Sequence, residues 1–184
     1  MVKVLNEYKG TMEVTKEFYE IFRECQSKDT SRTFISNIYF DGSKQTFVAT
    51  DGRRMVYHRD ENISSDREGY YELAKIGKKY KLIPIECNYE FVKWGNVIPE
   101  TEKMVIVKID GEKSHGLSGK LDKDSPWICK FIKETGCLIN INYMLNVLKY
   151  CPSFTAYFMD INMAILFEID EQTNYIVMPL QQDA

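Results

Sequence analysis

Phe47-Val48-Ala49-Thr50-Asp51-Gly52-Arg53-Arg54-Met55 is the stretch whose reading decides the fold. Its first residues are aromatic, β-branched or small, the composition of a pleated, half-buried strand. They run into Asp51-Gly52, where an Asp side chain can bond its own backbone and a glycine accepts positive φ at little cost. Two arginines and a thioether follow on the returning strand, so the segment predicts a hairpin. Working outward, Asp41-Gly42 marks a second turn of the same chemistry. Runs at 33–40, 46–50 and 54–58 therefore read as three consecutive antiparallel strands. Upstream, Thr15 stands as an N-cap before Phe18, Ile21, Phe22 and Cys25, whose i, i+3, i+4, i+7 spacing lays one apolar stripe along a helix.

The C-terminal part repeats this order of elements. Residues 138–141 read as a strand, Asn142 as the cap of a helix running to about Tyr150, and Pro152 as its stop. Runs at 154–159, 164–169 and 175–179 read as strands. The expectation is a single α+β domain over 1–184. It has a first β-α-β-β-β unit at about 11–60, a connecting and irregular middle at about 61–135, and a second unit at about 136–181, with both helices on one face of antiparallel sheet. In the middle, 104–109 reads as a strand. A polar stretch with Asp110-Gly111, Gly116 and Gly119 follows, then a short helix after Ser125-Pro126. Lys75, Lys78, Lys79 and Lys81 form a cluster with no acid among them, which reads as a solvated loop, with a phosphate-contacting patch as the alternative.

Composition narrows the function classes. The 184 residues are 44% hydrophobic and 13% aromatic, as in a folded globular chain. No apolar run reaches the roughly 20 residues of a membrane helix and the N-terminus lacks an apolar h-region, so a soluble, cytoplasmic protein with no membrane partner is expected. Five cysteines (Cys25, Cys87, Cys129, Cys137, Cys151) without a C-x-x-C pair point to reduced structural thiols rather than a zinc site or a disulfide framework. The two histidines, His58 and His115, accompany no nucleophile motif, and there is no P-loop or G-x-G-x-x-G. Asp51, Asp110, Asp160 and Asp170 read as turn residues more readily than as a metal site. No catalytic residue, metal or cofactor is expected. The net charge of −3 is uneven: residues 1–60 carry ten Lys/Arg against nine Asp/Glu, residues 136–184 one against five. That balance lacks the broad basic excess of a chain that grips DNA over a large surface.

Four segments, taken in order, resemble the bacterial DNA polymerase III beta subunit, the sliding clamp. They are Phe47 to Met55; Phe91-Val92-Lys93-Trp94-Gly95-Asn96-Val97-Ile98-Pro99, similar to that family's inter-domain connector; Asn140-Ile141-Asn142-Tyr143-Met144-Leu145-Asn146-Val147-Leu148, similar to its last inward-facing helix; and Tyr175-Ile176-Val177-Met178-Pro179-Leu180, similar to its C-terminal strand. The resemblance implies a DNA-clamp-like fold in a shortened chain and a groove that takes clamp-interacting peptides of a polymerase, clamp loader or repair factor. Its walls would be Thr50, Gly52, Arg53, Arg54 and Met55, then Val92 and Val97, then Ile176, Met178 and Pro179. Aliphatic residues would supply apolar area, methionines would adapt to different anchors, and arginine stems would extend the wall with their heads in water. Arg53 and Val92 depart from the family's usual His and Pro. The resemblance also implies a DNA-facing set, Lys16, Arg23, Lys28 and Lys149, and action on duplex DNA, weak for one chain or as a homo-oligomeric ring. The alternative function is a stand-alone peptide-binding module or decoy that does not encircle DNA.

Overall fold

The computed structural model describes residues 4–8, 10–29, 31–109, 133, 135–148, 151, 154–159 and 161–180. Lys149, His115, Cys129, Asp110, Asp160, the helix expected after Ser125-Pro126, and the helix stop at Pro152 lie outside them. The chain forms two compact units, Met1–Trp94 and Gly95–Ala184.

The first unit is an antiparallel sheet with one principal helix. Its strands are β1 (Val4–Tyr8), β2 (Thr11–Val14), β3 (Ile38–Asp41), β4 (Thr46–Thr50), β5 (Arg54–Arg59), β6 (Gly69–Ile76) and β7 (Lys79–Ile85), laid side by side as β1-β2-β7-β6-β3-β4-β5. Helix α1 (Lys16–Cys25) starts where Thr15 caps it, the hydroxyl oxygen accepting from the Phe18 amide at 3.2 Å. Glu17 in its first turn and Arg23 in its last complement the helix dipole. The apolar stripe expected from the sequence, Phe18, Ile21, Phe22 and Cys25, is buried, and Tyr19 is buried with it. Phe18 and Phe22 stack with ring centroids 4.0 Å apart, and Phe18 meets Phe47 of β4 edge-on at 5.6 Å. β4, the strand of the opening motif, is buried along its whole length, as a central strand covered on both faces must be.

The expected first strand at 33–40 is divided. Residues Thr33–Ser36 form a short helix, α2, and β3 begins only at Ile38. The reason lies in polar side chains that bond back to the chain: the Ser36 hydroxyl and the Asn37 amide both donate to the Thr33 carbonyl. The lysine cluster is also not a loop. It sits on β6 and β7, a hairpin closed by Gly77 at φ +62° with seven registered pairs from Tyr70↔Ile85 to Ile76↔Lys79.

In the second unit, β8 (Val105–Ile109), β9 (Phe154–Phe158), β10 (Ile165–Glu168) and β11 (Thr173–Val177) pair antiparallel in that order. Helix α3 spans Ile141–Leu148. Residues 136–140 carry no strand, contrary to expectation, and the cap is Asn140 rather than Asn142: the Asn140 Oδ1 accepts from the Asn142 amide at 3.0 Å. Phe167 and Tyr175 fill this core, and the Tyr175 hydroxyl donates to the Tyr143 carbonyl at 2.9 Å, tying β11 to α3. Cys25, Cys137 and Cys151 are buried. Burial pushes the Cys151 thiol up to about 12 and raises Cys25 further, so both are neutral thiols at physiological pH.

Candidate functional site

The turn after β4 is organised by one carboxylate. Asp51 Oδ1 accepts from the amides of Arg53 (2.9 Å) and Arg54 (3.1 Å), and Oδ2 accepts from Arg54 Nε at 2.9 Å. The Thr50 hydroxyl donates to the Arg54 carbonyl at 2.7 Å and accepts from the Gly52 amide at 3.0 Å. Gly52 holds φ +88°, a conformation other residues adopt only with strain. Gly52 and Arg53 are displayed at the surface. Arg54 is not: its side chain is 6% exposed and ion-paired with Asp51, so the expectation that both arginine heads stay wet fails at Arg54. Thr50, Met55 and Ile176 are also buried, Met55 at 4% exposure.

The connector is anchored in the first unit by its aromatics. Phe91 stacks on Tyr39 at 4.7 Å, and Trp94 Nε1 donates to Asp41 Oδ2 at 2.9 Å beneath the ammonium of Lys44. Partial burial pushes the Asp41 carboxyl up. Donation from Ser43, Trp94 and the Lys44 amide, with the charge of Lys44, outweighs that and holds it below the ordinary carboxylate range. Val92, between the two aromatics, is exposed.

The rest of the connector, in the second unit, lines a cleft of about 330 Å³ made by Asn96, Val97, Ile98, Pro99, Glu100, Met159, Met163 and Ala164. Val97 is 46% exposed there, and Met159 and Met163 are exposed beside it. Met178 follows Val177, the register partner of Ile165, and Ala164 precedes Ile165. The exposed thioether of Met178, at 41%, thus continues the strand pair whose other member ends at the cleft. Pro179 is half-buried, and the next residue is fixed by a hydrogen bond from the Leu180 amide to the Leu138 carbonyl at 2.8 Å. Met159, Met163 and Ala164 escape sequence reasoning. Their one signal is a pair of methionines flanking a turn, outside the strand alternation. The whole lining is apolar except for Asn96 and Glu100, so it suits apolar side chains of a ligand rather than chemistry on one. Among the described residues no group of three metal-ligating side chains comes together.

Lys16 and Arg23 on α1 are exposed, as is Lys28, which lies three residues past the end of that helix rather than on it. Arg23 is paired with Glu20 at 2.9 Å. With Glu17 and Glu24 on the same helix, the cationic set is close to balanced. No helix among the described residues is long and apolar enough to cross a membrane.

No protein-family model matches the chain, and no curated protein matches it by sequence. Solved structures do. The DNA polymerase III beta subunit of Thermotoga maritima superposes with a TM-score of 0.61 at 15% identity, over 98% of this chain and 68% of that one. The beta subunit of Borrelia burgdorferi, solved in complex with a natural product, gives 0.63 at 11% identity over 98% and 67%. The sliding clamp of Bacillus subtilis gives 0.57 at 11% over 99% and 74%. The fold is that of the bacterial sliding clamp, in a chain spanning about two thirds of the Thermotoga and Borrelia subunits.

Proposed function

We propose that this chain is a non-catalytic, cytoplasmic docking protein of the sliding-clamp type. It takes short peptides of replication or repair factors, such as a polymerase or clamp loader, and acts on duplex DNA as an oligomer. The observation that carries the reading is the apolar cleft at Val97, walled by the adaptable thioethers of Met159 and Met163 and continued in register by exposed Met178. An extended peptide with Leu and Phe anchors would place them against these side chains of the second unit. Buried apolar area at ~25 cal/mol per Å² supports micromolar affinity, worth ~8 kcal/mol, after the costs of association.

Titration of a fluorescent Leu/Phe-bearing clamp peptide tests this. The expected dissociation constant is in the micromolar range, and Met178→Ala weakens it by roughly 1–2 kcal/mol, about five- to thirty-fold, at little cost in stability. Absence of a signal at millimolar protein overturns the reading.

The near balance of charge along α1 supports a second reading, a peptide-binding module that does not encircle DNA. Solution mass across a concentration series separates the two. A closed oligomer supports the ring, and a monomer at all concentrations supports the module.

A further inference from the structure

The four lysines of the β6–β7 hairpin do not act as one patch, because strand alternation divides them between two faces. Lys79 and Lys81 share a face with Glu13 and Glu72. Glu13 is the register partner of Lys81 and its carboxylate holds Lys79 Nζ at 2.9 Å, while Glu72 pairs with Ile83 on the same side. Two acids therefore balance two lysines there. Lys75 pairs with Tyr80 and faces the other way, toward α1. Lys78 stands exposed at the turn.

On the α1 face the side chains form a ladder. The ammonium of Lys75 lies over the Tyr80 ring at 5.6 Å, the Tyr80 ring meets the Tyr19 ring at 4.7 Å, and the guanidinium of Arg23 lies over Tyr19 at 5.5 Å. Two packed rings thus hold a cation at each end and limit the rotamer freedom of both long side chains. The acids on this side are Glu17, Glu20 and Glu24 of α1, with Glu20 on Arg23. Among the described residues no acid pairs with Lys75 or Lys78. Tyr19 is buried and the Tyr80 ring packs against Tyr19 and under Lys75, so the rings are unsuited to stacking unpaired bases. What the strip offers is a row of positioned cations, the complement of a phosphate backbone.

The geometry points to Lys75, aligned with Arg23 by the Tyr80–Tyr19 stack, together with Lys78 at the adjoining turn, as a contact strip for the phosphate backbone of duplex DNA. The assignment rests on the clamp-type reading and adds to it a DNA-contacting element outside the helices.

The test uses the full chain and a labelled duplex of about 30 base pairs, with anisotropy titrations over a salt series. For Lys75→Ala/Lys78→Ala the salt slope falls by roughly two phosphate contacts relative to wild type, with about ten-fold weaker binding at low salt. Lys79→Ala/Lys81→Ala, on the acid-balanced face, changes affinity less than two-fold. Equal losses in the two double variants, or no salt-dependent DNA binding by wild type, overturn the assignment. Peptide titration of the same proteins keeps the two ideas apart. Peptide binding without a Lys75/Lys78 effect on DNA removes the strip alone, whereas the DNA effect without peptide binding removes the docking reading alone.

Discussion

Replacing Asp51 by Asn removes the counter-charge of a buried arginine while keeping the shape of the turn. Arg54 and Asp51 are 6% and 18% exposed, and their contact is 2.9 Å. Breaking a fully buried pair by removing one partner costs about 3–5 kcal/mol, since the other charge stays buried without it. Two features place Asp51→Asn below that range. Asp51 keeps some water, and the Asn Oδ1 still accepts from the Arg53 and Arg54 amides. The expected loss is therefore about 2–3 kcal/mol, or roughly 4–12 °C in Tm for a chain of this size. Urea unfolding followed by circular dichroism measures it. Arg54→Met on the Asp51→Asn background should recover at least about 1 kcal/mol, because an apolar side chain of similar length removes a buried charge whose carboxylate counter-charge is gone. A loss under about 1 kcal/mol, or one abolished by high salt, refutes the reasoning and makes Asp51–Arg54 a solvated surface pair.

Two further predictions concern the same site. Met55→Ala, at a buried position, should cost about 2–4 kcal/mol, whereas Met178→Ala at the surface should cost under about 1 kcal/mol; paired urea curves compare them directly. Asp41 has its pKa depressed in the folded chain, so its contribution is fully present above the unfolded carboxylate value near 4 and is lost as pH falls through the folded value. The stability difference between wild type and Asp41→Asn should thus be constant from about pH 5 to 8 and shrink below about pH 4, with Trp94 fluorescence as the local probe.

The parts of the fold legible in the sequence are those set by short-range chemistry. Thr15 with its apolar stripe, and the Asp41-Gly42 and Asp51-Gly52 turns with their flanking strands, each carry a cap or turn signal within a few residues. The β6–β7 hairpin was not legible. Its alternation, Tyr71 and Leu73 against Leu82, is interrupted by lysines that face solvent on both sides, and no Asp-Gly or Asn-Gly pair marks the turn. At 136–142, two asparagines two positions apart are equally good caps by type, and the choice of Asn140 is made by the Tyr143 amide bonding to its carbonyl. At the site, Val97 and Met178 are exposed. The burial of Arg54 was hidden because a carboxylate three residues away compensates a charge that by itself would seek water. Met159 and Met163 reach Val97 only through the antiparallel fold of the second unit, a tertiary juxtaposition that no local spacing encodes.

Methionine-methyl NMR of the full chain, titrated with a Leu/Phe-bearing clamp peptide, tests the docking claim most directly. Met159, Met163 and Met178 are exposed at the cleft and the strand beside it, while Met12 and Met144 are buried in the cores of their units. Saturable shifts of the first three methyl signals are expected at micromolar to sub-millimolar peptide, with the signals of Met12 and Met144 unmoved. No shift in any of the three, or shifts in the core methyls with the cleft methyls unchanged, would contradict the docking claim.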